Sequence, residues 1–448
     1  MWNVDEPVMR MPDRNQTVMD TRENRLVAVY FRLSLPVVLS SVVTILYNLA
    51  DTYFIAQTNN ALLVAGVSVC APIFMILMAF GNIFGQGGSS LISRLLGQGR
   101  TAEAGRVSAF CFWISLVAGA VIGGLLLVVR DPFLVLLGSS TGTLPYAREY
   151  GTVMLAASPL VVVSFIHMNL LRCEGMAGIS MAGSCLGAAV NMILDPLLIP
   201  SMGASGAAIA SVTGYLCTDL FLLCVVLFRS RVLSVRPVLT VGKAYLREIL
   251  AIGVTAAITN IAGSLCTMLI NQRLLFYGDD KIAAMGIVLK VTMIVQMILV
   301  GFSFGGIPLF GYLSGAGERR KIRTLMMFCM RFLVIIALIM TALVCLAAGP
   351  VLHLITPDPA IVETGIPMLR WQAAGSAFAG IVMLSTCICQ ATGRALPALV
   401  LSLSRQGILF AVVLLFLSFL AGYRGILCSQ CASDVLSTLL VIPIMRNG

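Results

Sequence analysis

Twelve stretches of this chain run for about 20 residues or more with almost no charge, which is the length one helix needs to cross a bilayer. They fall near 33–57, 62–88, 106–129, 148–171, 178–199, 204–228, 247–276, 282–311, 324–348, 364–389, 396–420 and 423–445. The runs are continuous rather than alternating, so the ten-residue strands of a membrane β-barrel are excluded. Charged residues make up 11% of the chain and hydrophobic ones 59%, against about a quarter charged in soluble proteins. The fold class expected is an all-α polytopic membrane protein of twelve transmembrane helices.

Basic residues are spread unevenly between the loops. Arg94, Arg100 and Arg106 follow span 2, and Arg229, Arg231, Arg236, Lys243 and Arg247 fill the link between spans 6 and 7. Arg319, Arg320, Lys321 and Arg323 follow span 8, while the other side holds little beyond Arg130, Arg148, Lys281 and Arg424. The positive-inside rule then places both termini in the cytoplasm. The net charge of +10 is loop topology on this reading, and no nucleic-acid partner is expected. The first 30 residues are polar and mixed in sign, with no apolar run followed by a cleavage site, so no cleaved signal peptide is expected. Most of the 13 cysteines fall within spans and read as small apolar residues. With only His167 and His353 besides, no metal site is expected.

An internal repeat organises the chain. FGQGGSSLISRLLGQGR after span 2 is answered by FSFGGIPLFGYLSGAGE after span 8, with Gly97 facing Gly315 at an offset of 218 residues. Gly175 in the turn after span 4 faces Gly393, again 218 apart. Two distant segments sharing one offset imply two six-span halves. Six crossings is an even number, so the halves enter the membrane in the same sense, related by a pseudo-two-fold along the membrane normal with a cavity between them. The expected organisation is a cytoplasmic segment 1–30, an N-lobe 31–228, a linker 229–246 and a C-lobe 247–448.

Polar residues inside the spans are expensive to insert, and so they point to function or to pairing within the bundle. Asp51 and Asp195 fall at similar depth near the outer ends of spans 1 and 5. Tyr47 precedes Asp51 by one turn and Asn191 precedes Asp195 by one turn, so each pair shares a helix face. Pro196 donates no backbone hydrogen bond and frees the carbonyl of Met192 beside the carboxylate. Such a set suits a small cation or a proton; the competing reading is a polar network that fixes helix packing, and for Tyr47, Asn191 and Thr213 the two readings are evenly balanced. Asp219 in span 6 reads as structural, paired with a loop arginine. Arg405 and Asp434 are expected to pair across the second half, Lys290 to be a buried charge that lines the cavity or serves packing, and His167 to pack within the bundle. Of the 23 methionines and 21 phenylalanines, some would give a cavity a lining adaptable to ligands of varied shape.

LPVVLSSVVTILYNLADTYFIAQ (35–57), AAVNMILDPLLI (188–199), GASGAAIASVTG (203–214) and PLFGYLSGAGERRKIR (308–323) resemble the multidrug and toxic compound extrusion family. The resemblance runs from about residue 25 to 445. It implies a twelve-helix antiporter of two six-helix lobes, not an enzyme, that expels amphipathic, often cationic compounds in exchange for sodium ions or protons and needs no other cofactor. One branch of that family holds its coupling site in the first lobe, and the sequence matches it at Tyr47, Asp51, Asn191, Asp195 and Thr213, and approximately at Asn169. Another branch uses acids in helices 7 and 10, and TAAITNIAGSLCTMLIN (255–271) and GSAFAGIVMLSTCICQ (375–390) carry none. Span 11 lacks a proline that relatives often carry, so it is expected to be unkinked. The expected partners are the lipid bilayer and small-molecule substrates, with the protein a monomer. The alternative is a flippase or exporter of a lipid-linked or polar metabolite, which would need a larger basic cavity than Lys290 and Arg405 supply.

Overall fold

The computed structural model describes residues 25–356 and 358–446, so most of the segment expected over 1–30 lies outside the described residues. The described chain is helical throughout, because an apolar backbone in lipid must satisfy its hydrogen bonds internally. The first half comprises α1 (Leu26–Ala56), α2 (Ala61–Val69), α3 (Ala71–Gly97), α4 (Thr101–Val128), α5 (Arg130–Leu136), α6 (Leu144–Ala156), α7 (Ser158–Cys173) and α8 (Ala177–Phe228). The second comprises α9 (Lys243–Leu275), α10 (Asp279–Gly305), α11 (Ile307–Gly315), α12 (Arg319–Leu346), α13 (Ala348–Ile355), α14 (Pro359–Ala374), α15 (Ser376–Ala391), α16 (Ala395–Gln406) and α17 (Ile408–Arg446).

Eight helical stretches are long and apolar enough to span a membrane, and the bent pairs α6–α7 (55°) and α14–α15 (41°) each make one span more. Two of the eight, α8 and the stretch Ala395–Arg446, are 52 residues long and fold back on themselves, which brings the crossings to twelve. The reversals sit at Gly203 (φ 57°, ψ −130°) and Gly422 (φ 55°, ψ −130°), a backbone region open only to glycine. Past Gly203 the legs of α8 run antiparallel, and Thr218 Oγ1 donates to the carbonyl of Gly183 at 3.1 Å.

The repeat is legible in the backbone. Helix α4 starts at 101 and α12 at 319; α7 ends at 173 and α15 at 391, each 218 later. The left-handed glycines recur in step, Gly99 with Gly317 and Gly175 with Gly393. Exposed apolar side chains recur too: Val117, Val121 and Leu125 on α4 correspond to Ile335, Ile339 and Leu343 on α12. Apolar stripes of this kind face lipid.

The lobes meet near the side of the linker, residues 229–242. Gly97 packs on the carbonyl of Tyr312 while Gly315 packs on the carbonyl of Arg94, a reciprocal contact that marks the pseudo-two-fold axis. Gly253 lies on Ile83 and Gly305 on Ser34, and Tyr30 donates its hydroxyl to the carbonyl of Phe302 at 2.8 Å. Arg94 pairs with Glu248 across the lobes at 3.0 Å. These contacts close the two lobes on each other at the linker side.

Span 11 differs from expectation. It is broken at Gly407 (φ −158°, ψ −124°), which separates α16 from α17. The expectation of an unkinked span is therefore corrected: the break comes at Gly407 without the proline that relatives often carry.

Candidate functional site

Two cavities meet in the middle of the protein. One, about 160 Å³, lies inside the first lobe against Tyr47, Asn191, Ser211 and Tyr215. The other, about 420 Å³, lies between the lobes. Thr44, Met78, Phe165 and Met168 border both, so a movement of these side chains is felt in either.

In the first lobe, α1 and the two legs of α8 bring the expected acids together. Asn191 donates its side-chain amide to Asp195 Oδ1 and to Ser211 Oγ, each at 3.3 Å. Asp195 is fully buried. Asp195 Oδ2, Asp51 Oδ1 and Asn191 Oδ1 are buried without a hydrogen-bond partner. The charges of Asp51 and Asp195 lie close enough to act on each other. Tyr47, Ser211 and Tyr215 line the first-lobe cavity together, and Tyr150 of α6 lies near them. Buried carboxyl and amide oxygens that no donor reaches are chemically suited to a proton or a hard cation. A further cavity, about 450 Å³, approaches Asp195 from the end away from the linker, past Gln57 and Asn60.

Two other expected members are placed elsewhere. Thr213 donates to its own helix at Ile209 (2.7 Å) and borders neither central cavity. Ser211, two residues earlier, takes the place expected of it, because two residues turn a helix about 200° away. Asn169 lines the inter-lobe cavity and donates to the carbonyl of Phe165 at 2.7 Å. Sequence reasoning passed over Ser211, Tyr215 and Tyr150. The first two were recoverable, since a reversal at Gly203 lays the returning leg beside Asn191.

The other intramembrane charges have different surroundings. Arg405 Nε donates to Asp434 Oδ1 at 3.1 Å and its Nη2 to Gln296 at 2.8 Å, so the expected pair is present and buried. Asp219 accepts from Ser164 at 2.8 Å on one oxygen, where an arginine was expected, and its Oδ2 is buried without a partner. The reason is position: Asp219 is buried within the lobe, beyond reach of the loops. Lys290 is exposed rather than buried. It shares a face with Met297 of the inter-lobe cavity but stands about 10 Å further out by helix rise, outside the lining. His167 is buried against the ring of Phe112, with centroids 5.2 Å apart.

A sequence model of the MatE family matches residues 36–197 and again 255–417, the second match beginning 219 residues after the first. The chain belongs to the MatE family. MatE relatives include the multidrug export protein MepA of Staphylococcus haemolyticus (strain JCSC1435), 30% identical over 432 residues that cover 95% of this chain and 94% of that protein. MepA of Staphylococcus aureus (strain NCTC 8325 / PS 47) is 29% identical over 420 residues, covering 92% and 93%. Among solved structures, an outward-facing multidrug resistance MATE family transporter of the MOP superfamily superposes with a TM-score of 0.89 at 23% identity, covering 98% of both chains. A MATE transporter in a bent conformation gives 0.90 at 22%, covering 97% of both chains. The two-lobe, twelve-helix arrangement is therefore the MATE fold, and the protein is a multi-pass membrane transporter of that family.

Proposed function

We propose that the protein is a cation-coupled antiporter that exports amphipathic organic compounds, with Asp51 and Asp195 as the coupling acids. The observation that carries this reading is that Asp51 Oδ1 and Asp195 Oδ2 are buried without a hydrogen-bond partner, one turn from Tyr47 and Asn191, which line a cavity that shares a wall with the inter-lobe cavity. Multidrug export is the activity for which the MepA relatives are named.

The mechanism follows from differential binding. A carboxylate buried without partners is unfavourable, and a proton or sodium ion relieves that cost. If the cation binds one arrangement of α1 and α8 better than another, it shifts the equilibrium between them. Thr44, Met78, Phe165 and Met168 then change the shape available to cargo next door. With the linker in the cytoplasm, the lobe contacts close the protein on the inner side, and cation entry from outside would reach Asp195 through the cavity at Gln57 and Asn60. Return to an inward-open state requires breaking the Arg94–Glu248 pair and the reciprocal glycine contacts.

The test is export of fluorescent amphipathic dyes from vesicles holding the purified protein, with proton and sodium gradients imposed separately. Transport driven by one of them is expected; no transport under either gradient across a broad dye panel overturns the reading.

A further inference from the structure

The charge of the inter-lobe cavity runs against the cargo that the family resemblance implies. Its lining includes two arginines, Arg172 of α7 and Arg405 of α16, one from each lobe, and no aspartate or glutamate. Arg405 is neutralised by Asp434 and held by Gln296. Arg172 is not. Its Nε is buried without a hydrogen-bond partner, and no side-chain hydrogen bond or ion pair is made to Arg172 among the described residues.

The nearest acid in sequence does not serve it. Glu174 is turned to the linker, where it accepts from the backbone N–H of Val232 at 2.7 Å and of Arg231 at 3.3 Å. The corresponding position in the second lobe, 218 residues on, is Gln390, so the symmetry supplies no counter-charge either. An unpartnered guanidinium inside a membrane protein is costly, and its planar fork matches a carboxylate, sulfonate or phosphate in bidentate fashion. Around it the wall is apolar and adaptable, with Met168, Met297, Phe304 and Met383.

We infer that Arg172 is an anion anchor, and that the inter-lobe cavity takes amphipathic molecules that carry an acidic group, anionic or zwitterionic, in preference to simple organic cations. This deepens the transport reading, since it treats that cavity as the cargo site.

Binding tests it without any gradient, so its failure and that of the coupling mechanism are separable. The full chain is placed in phosphatidylcholine nanodiscs, and fluorescence anisotropy follows a xanthene dye with a free carboxylate beside its ethyl ester, which is otherwise the same molecule. The acid is expected to bind more tightly than the ester. Arg172→Gln should weaken the acid about tenfold or more while leaving the ester unchanged, and Arg172→Lys should keep most of the preference. Repeating the titration with phosphatidylglycerol in the disc separates two sources of the anion: competition assigns the site to a lipid headgroup, and none assigns it to a soluble amphiphile. Either supports the anchor. Equal binding of acid and ester to the unaltered protein overturns it, and this holds even if the glutamine variant fails to fold. An acid preference that survives Arg172→Gln overturns it as well.

Discussion

Asn191 donates its amide to Asp195 one turn along the same helix, at 3.3 Å, and leaves the second oxygen of that carboxyl without a partner. The amide thus orients the acid without saturating it. A group held in place yet chemically unsatisfied is poised to take up a cation, whereas a structural acid such as Asp434 has its charge met by Arg405.

Replacing either coupling acid by its amide should separate transport from stability. Asp51→Asn and Asp195→Asn remove the charge but keep the shape, so each is expected to reduce gradient-driven dye efflux more than about tenfold. The unfolding temperature should hold or rise, because an unpaired buried carboxylate contributes no stability. Efflux assays and thermal melts on the same preparations check this; normal efflux from both variants rules out the coupling role.

The Arg405–Asp434 pair should behave in the opposite way. Removing one partner strands the other charge, at a cost of about 3–5 kcal/mol, whereas two apolar replacements leave none stranded. Arg405→Met and Asp434→Leu are each expected to lower stability strongly, with the double variant recovering more than half of the loss. Equilibrium unfolding of the three variants gives the coupling energy directly.

A methyl group at the lobe interface should be poorly tolerated. A Cβ at Gly97 overlaps the Tyr312 carbonyl and one at Gly315 overlaps that of Arg94, while one at Gly124 meets nothing within 4 Å. Gly97→Ala and Gly315→Ala are expected to cost about 1–3 kcal/mol through overpacking, and Gly124→Ala close to nothing. Parallel melting curves would show whether the two interface positions respond alike, as the pseudo-symmetry requires.

Topology has its own test. Arg229, Arg231 and Lys243 make the linker a ready target for trypsin, and a cytoplasmic linker should be cut in inside-out vesicles and protected in right-side-out ones. The reverse pattern would invert the membrane orientation and with it the side on which the lobes are closed.

How much of this was legible beforehand follows from the range of the forces involved. Spans and the repeat were readable because lipid demands unbroken apolar length and because the 218-residue offset is carried by glycines whose backbone roles are local. Gly175 and Gly393 are left-handed in the structure for the reason that made them visible as turns. The sequence by itself determined the helical membrane class, the two halves, and the presence of Asp51 and Asp195 where an acid is hard to justify. It could not say which neighbours complete their surroundings. Ser211 rather than Thr213 faces Asn191 because a reversal at Gly203 sets the rotation of the returning leg. Arg172 carries no mark in the chain that distinguishes it from a basic residue at a membrane boundary. Only the packing of α7 against the opposite lobe puts it in a cavity without a counter-charge. Asp219 met a serine and Lys290 met no wall for the same reason: a side chain's partner depends on how separate helices are rotated and stacked, and that is decided by contacts between residues far apart in the sequence.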